Sequence, residues 1–327
     1  SQTPVNTGGD KANDVIREIM SASFTRVMLS IVLGFAIGAI FMILFNEDVV
    51  ATYETFFSNP GDTFMASLKV LADGYGGLLK GAIFNPEGRD VVAMFRPITE
   101  TFRLAAPLIM AGLGIALTFR VGLFNIGATG QIVMGLAGAT WISTRVDLPY
   151  GIHMVVAVIV AIICAALWGA VVGLLKARTG AHEVIVTIML NYVAANFILW
   201  LLKTDAFLRE GRTDPIAPEV LPNSRLPRFF GEEFRVSAAI LVALLVAWSV
   251  SVLLDRTTWG YQFKAVGANS TAAKTAGMSV PFVMTSVMVV CGALAGLGGA
   301  VNVLGAEYAL TTGIAGSFGF NAITVAL

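Results

Sequence analysis

The stretch Val27-Met28-Leu29-Ser30-Ile31-Val32-Leu33-Gly34-Phe35-Ala36-Ile37-Gly38-Ala39-Ile40-Phe41-Met42-Ile43-Leu44-Phe45 holds 19 residues without one charge. At about 1.5 Å per residue a helix of this length reaches about 28 Å, close to the hydrocarbon thickness of a bilayer. It reads as a first membrane span. The rest of the chain agrees with that solvent: 56% of its 327 residues are hydrophobic and 13% charged, against about 25% charged in an ordinary soluble domain. Residues 1–26 form a polar leader. No small-residue cleavage site follows the first apolar run, so a removable signal peptide is not expected.

Beyond residue 45 the pattern alternates between apolar runs and polar connections. Residues 46–97 are mixed, with Pro60-Gly61, Gly76-Gly77 and Asn85-Pro86 as breakers; they predict a long external segment of short amphipathic pieces. Further spans are expected over 98–119, where Pro107 would kink a helix, and over 152–175, 184–202, 236–254 and 280–304. Another begins at Phe318. Because the sequence stops inside that run, further C-terminal spans are expected beyond Leu327. Residues 121–143 differ, since Gly122, Asn125, Gly127, Thr129, Gly130 and Gln131 interrupt an otherwise apolar stretch. They predict a broken helix. The fold class is an all-α, polytopic transmembrane bundle with a discontinuous helix, and residues 27–327 form one transmembrane domain.

Charge sets the expected orientation. The leader, Arg120, residues 176–183 and the loop 255–280 carry nine bases and five acids, whereas 46–97, 145–150 and the external loop 203–235 carry eleven bases and fourteen acids. The positive-inside rule puts the first group, and the N-terminus, in the cytoplasm. Overall the 21 basic and 21 acidic residues cancel, which leaves no basic surplus to hold nucleic acid. Cys164 and Cys291 lie in apolar runs and read as small hydrophobes.

Polar groups retained inside spans are costly in lipid, so Asn125, Gln131, Thr187, Asn191 and Asn196 are the first candidates for a solute path. A broken helix at 122–130 frees backbone groups that only protein or a water-filled cavity can satisfy. The alternative is that these amides glue neighbouring helices. His182-Glu183 opens a span, but one His and one Glu make no zinc site, and His153 falls on the opposite side. Glu183 suits a helix N-terminus or an ion pair; Glu100 and Arg103 are spaced to pair along one helix face. Gly34/Gly38, Gly169/Gly173 and Gly292/Gly296 recur at the spacing of close helix contacts. In the loop 255–280, Asn269 or Ser270 can cap a short alanine-rich helix that Gly277 ends. No phosphate-cradling G-x-x-x-x-G-K-[ST] pattern occurs, so ATP hydrolysis is expected on a separate chain. An ion-driven transporter would need a titratable acid deep in a span, and none stands in four of the spans. A membrane enzyme lacks a nucleophile, base and metal set.

Three segments carry a resemblance: residues 119–131 (Phe-Arg-Val-Gly-Leu-Phe-Asn-Ile-Gly-Ala-Thr-Gly-Gln), residues 182–192 (His-Glu-Val-Ile-Val-Thr-Ile-Met-Leu-Asn-Tyr) and residues 265–277, from Ala265-Val266-Gly267-Ala268-Asn269 to Gly277. They resemble the permease subunits of bacterial nucleoside ABC importers and, less closely, the ribose and branched-chain amino-acid permeases of that superfamily. The resemblance implies nucleoside import across the bacterial cytoplasmic membrane by alternating access, with a sugar or another small polar solute as the alternative cargo. It implies a second permease subunit, a cytoplasmic ATPase that holds the ATP and Mg, and a lipid-anchored extracytoplasmic binding protein; this chain itself carries no cofactor. The expected solute path is Asn125, Gln131, Asn191, Phe124, Tyr192 and Thr187, the amides offering hydrogen bonds and the aromatics a stacking face. The expected coupling contact with the ATPase is Ala268, Asn269, Ala272, Ala273, Lys274 and Gly277.

Overall fold

The computed structural model describes residues 23–231 and 233–327, so most of the expected leader lies outside the described residues. Among the described residues every element longer than a bridge is helical, and six helices are long and apolar enough to cross a membrane. The chain divides into two compact units, which meet between Pro86 and Glu87.

Within the first unit, α1 spans Ser23–Phe45, α2 Glu47–Ala51 and α3 Pro60–Ala82. Asn46 makes the turn between α1 and α2: its side-chain oxygen accepts from the backbone N–H of Asp48 (3.0 Å) and Val49 (3.3 Å), satisfying donors that the start of a helix leaves free. α3 packs along α1 through Tyr75, whose ring meets Phe35 edge-on at 5.1 Å and whose hydroxyl donates to the Phe35 carbonyl. Here the structure corrects the sequence. Instead of short pieces broken at Gly76-Gly77, residues 60–82 form one 23-residue helix. A glycine costs a helix only about 1 kcal/mol relative to alanine, and the contact with α1 outweighs two such penalties.

The second unit begins with α4 (Val91–Arg120), capped by the Asp90 carboxylate on the Ala93 N–H at 2.6 Å. It starts seven residues before the expected span, inside the segment read as external. Pro97 and Pro107 are both accommodated within it. There follow α5 (Ala128–Arg145), α6 (Ile152–Thr179), α7 (Glu183–Leu201), α8 (Ala239–Arg256), α9 (Thr258–Ala268), α10 (Ser270–Thr275), α11 (Val280–Asn302) and α12 (Phe318–Ala326).

Helices α4, α5, α6 and α11 make the buried centre, and small residues explain how. A methyl group on Gly169 or Gly292 would run into the backbone carbonyl of Met288 or Ala165, and one on Gly173 would sit 2.7 Å from the Thr285 Cα. The Gly169/Gly173 and Gly292/Gly296 pairs therefore face α11 and α6 across one crossing, as their spacing suggests; Gly34 meets nothing within 4 Å. α7 is different in kind. It leans on α5 and leaves Ile185, Met189, Tyr192, Val193 and Trp200 exposed, an apolar outer surface suited to lipid or a neighbouring subunit.

Candidate functional site

The polar cluster is built around the break between α4 and α5. Residues 121–127 leave the helical path at Gly122, whose φ of +80° is easy only for glycine. Seven non-helical residues then carry the chain to Ala128. Val121, Leu123, Asn125 and Gly127 are buried while Gly122 and Phe124 are exposed, so the backbone groups on the buried side need partners.

Three of the six expected path residues supply those partners, and a fourth, Gln131, packs beside them. Asn125 is fully buried; its oxygen accepts from the Gly127 N–H at 2.8 Å, while its Nδ2 donates to Cys291 Sγ at 3.1 Å and to Gln131 Oε1 at 3.4 Å. Asn191 of α7 grips the break from the other side: its Nδ2 donates to the Ile126 carbonyl at 2.9 Å and its oxygen accepts from the Gly130 N–H at 2.8 Å. The Ile126 N–H donates to the Thr187 hydroxyl at 3.4 Å. Gln131 is buried, with its oxygen facing Asn125 and Cys291 and its Nε2 without a partner. Asn191 lies eight residues into α7, and Cys291 eleven into α11. At about 1.5 Å per residue, Asn191 and Cys291 lie about 12 to 16 Å from the first residues of their helices, well inside the two apolar helices.

The two aromatics do not join the cluster. Phe124 stacks on Phe119 with ring centroids 5.0 Å apart. Tyr192 is 69% exposed and lines, with Val193, Asn196, Phe197 and Trp200, a separate cleft on the outer face of α7. One helical step explains the split, because residues 191 and 192 are about 100° apart around α7 and cannot both face α5. Trp168 of α6 was not singled out by the sequence, being one aromatic in an apolar run. Its Nε1 nevertheless lies 3.1 Å from the position a Cβ on Gly130 would occupy.

At the end of the molecule where α4 terminates, Asn269 caps α10, accepting from the N–H groups of Thr271 and Ala272 at 3.0 Å each, and Gly277 closes the turn at φ +87°. Ala272 and Lys274 are exposed, but Ala273 is buried in the protein's own core. Ala273 therefore cannot form part of an outward contact, since consecutive residues of a one-and-a-half-turn helix point to different sides. Gly267 fits α9 against the end of α4, where any side chain would strike the Arg120 carbonyl. Lys176 and Glu183 pair at 2.7 Å across the turn between α6 and α7.

The opposite end is held by ions. Arg103 pairs with Glu100 at 2.6 Å, as their spacing predicts, and also with Glu307 at 2.8 Å; Arg235 reaches the same carboxylate at 3.1 Å. Glu307 closes a π-helical turn, Val303–Glu307, that ends α11. Next to it Tyr308 has φ +59°, its ring between the guanidinium groups of Arg225 (4.4 Å) and Arg228 (4.7 Å). Outside the spans, Arg212 at 2.8 Å holds the Asp214 carboxyl below its ordinary value.

A multi-pass helical bundle with a non-helical segment tied down inside it by amides is an architecture suited to a membrane permease. The chain belongs to the family described as branched-chain amino acid transport system / permease component, whose model matches residues 98–327. It is 34% identical over 301 residues to the guanosine ABC transporter permease protein NupP of Bacillus subtilis, an alignment covering 92% of this chain and 78% of that one. It is 30% identical to the nucleoside ABC transporter permease protein NupB of Lactococcus lactis over 84% of this chain and 69% of the other. Similarity to the glucose ABC transporter permease protein TsgB13 of Haloferax volcanii is 32% over 70% of this chain and 63% of its length. No solved structure matches the chain. A member of this family is the membrane component of a transporter and works with an ATPase and a substrate-binding protein.

Proposed function

We propose that the chain is a nucleoside-conducting permease subunit of an ABC importer in the bacterial cytoplasmic membrane, with its N-terminus in the cytoplasm. The observation that carries this reading is the broken segment 121–127, whose inner residues 125–127 are held inside the membrane-spanning bundle by Asn125, Asn191 and Thr187. Non-helical backbone there is sustained only beside protein or a water-filled passage, and a polar cargo needs such a passage. Similarity to guanosine and nucleoside permeases favours a nucleoside, and similarity to a glucose permease keeps a sugar as the second reading.

The power stroke comes from elsewhere. ATP and Mg are held by a separate cytoplasmic ATPase, α10 with its exposed Ala272 and Lys274 rests on that subunit, and a second permease completes the conduit. An extracytoplasmic, lipid-anchored binding protein delivers the cargo. Closure of the ATPase moves α10, and the two permeases alternate between outward and inward openings. The test is ATP-driven uptake of labelled nucleosides by the assembled importer. Asn191→Ala combined with Gln131→Ala abolishes uptake on this account; unchanged uptake removes both residues from the path.

A further inference from the structure

The crossing of α5 and α6 pairs two neighbouring residues on one helix with two on the other. A Cβ on Gly130 would sit 3.1 Å from Trp168 Nε1 and 3.0 Å from Asn191 Oδ1, and a Cβ on Gly169 would sit 3.3 Å from Gln131 Nε2. So the indole of Trp168 abuts Gly130 while the amide of Gln131, the next residue, abuts Gly169. Glycine on both helices makes room for two polar groups.

Both groups are donors, and both lack a partner. Trp168 Nε1–H can only donate. The Gln131 amide is oriented by Asn125 Nδ2 and Cys291 Sγ, which both approach its oxygen and leave the NH2 facing α6. A buried donor without an acceptor costs about 1 to 3 kcal/mol, and this chain keeps two at one helix crossing, at the edge of the broken segment. Trp168 and Asn191 are only half-buried, so this crossing lies nearer the surface than Asn125 and Gln131 do.

Resting on the nucleoside reading above, we infer that Trp168 and Gln131 form a donor pair which reads an acceptor edge of the cargo base, selecting 6-oxopurine nucleosides. The edge of guanine or hypoxanthine bearing O6 and N7 presents two adjacent acceptors, whereas adenine places a donor, its N6 amino group, at the same corner. A pair of N–H groups donates to both acceptors of the first and faces another donor in the second. The indole also supplies a flat face against which a purine ring stacks.

The measurement is uptake by the importer reconstituted with its ATPase, partner permease and binding protein. The binding protein is loaded to saturation with each nucleoside beforehand, so that its own preference does not enter. The wild-type importer moves guanosine faster than adenosine, and Trp168→Phe lowers the ratio of the two rates roughly three- to tenfold, the worth of one hydrogen bond. Gln131→Glu, which exchanges a donor for an acceptor, also shifts the ratio toward adenosine. In the wild-type protein, where folding is not at issue, 7-deazaguanosine moves more slowly than guanosine because it lacks the N7 acceptor. Equal rates for those two, or a guanosine-to-adenosine ratio unchanged by Trp168→Phe, overturn the donor-pair assignment and leave the nucleoside reading standing. A loaded wild-type importer that moves no nucleoside overturns both.

Discussion

Asn191 does two jobs with one side chain, accepting from the Gly130 N–H and donating to the Ile126 carbonyl. Asn191→Ala leaves both backbone groups buried and unsatisfied, at about 1 to 3 kcal/mol each. The expected outcome is a lower midpoint of thermal unfolding in detergent together with loss of uptake; a variant as stable and active as the wild type would contradict the bracing role. Gly292→Ala tests the packing. Its methyl group meets the Ala165 carbonyl, and in a crossing as tight as that of α6 and α11 such overpacking costs about 1 to 3 kcal/mol. The same variant at Gly34, which lies inside α1 and meets nothing within 4 Å, is expected to leave stability unchanged or raise it by up to about 1 kcal/mol. Residues of this kind were partly legible. Polarity inside apolar runs pointed to Asn125, Gln131, Thr187 and Asn191 because an amide in lipid demands a partner. Trp168 was not, since an aromatic in an apolar run looks the same whether its N–H is satisfied or not. Phe124 and Tyr192 were read by association with their neighbours, and helical rotation turned them elsewhere.

At the scale of elements, α10 carries the expected link to the power source. It is short, capped by Asn269, and presents Ala272 and Lys274 outward. Ala272→Trp adds bulk to the outward side without entering the core. The prediction is ATP hydrolysis that continues while uptake falls at least tenfold, with the complex still assembled in the membrane; coupled transport at the normal rate would exclude α10 as the docking element. The turn between α6 and α7 offers a second test. Lys176→Glu breaks its pairing with Glu183, and the double exchange Lys176→Glu with Glu183→Lys restores it. Because the pair is partly exposed, a coupling energy of about 1 kcal/mol or less is expected from the double-mutant cycle. Sequence periodicity located most helices to within a few residues, since each apolar run is bounded by charge or proline. It missed α3, where Gly76-Gly77 looks like a turn yet the contact of Tyr75 with α1 keeps the helix whole. It also missed the reach of Arg103 to Glu307, because no local spacing signals a partner 204 residues away.

At the largest scale, the contacts of the second unit distinguish two ends. The end of α4, the α6–α7 turn and α9–α10 share one end, as the contact of Gly267 with Arg120 requires. Arg103, Arg235 and Glu307 share the other. Cysteine introduced at Lys274 is expected to react with an impermeant reagent only from the cytoplasmic side, and cysteine at Asp214 only from outside; the reverse pattern would invert the orientation. The most direct measurement of the central claim is solute accumulation in proteoliposomes. The permease is expected to concentrate labelled guanosine only when its ATPase, second permease and binding protein are present with ATP. Uphill accumulation by the permease alone, without nucleotide, would contradict a conduit driven through α10.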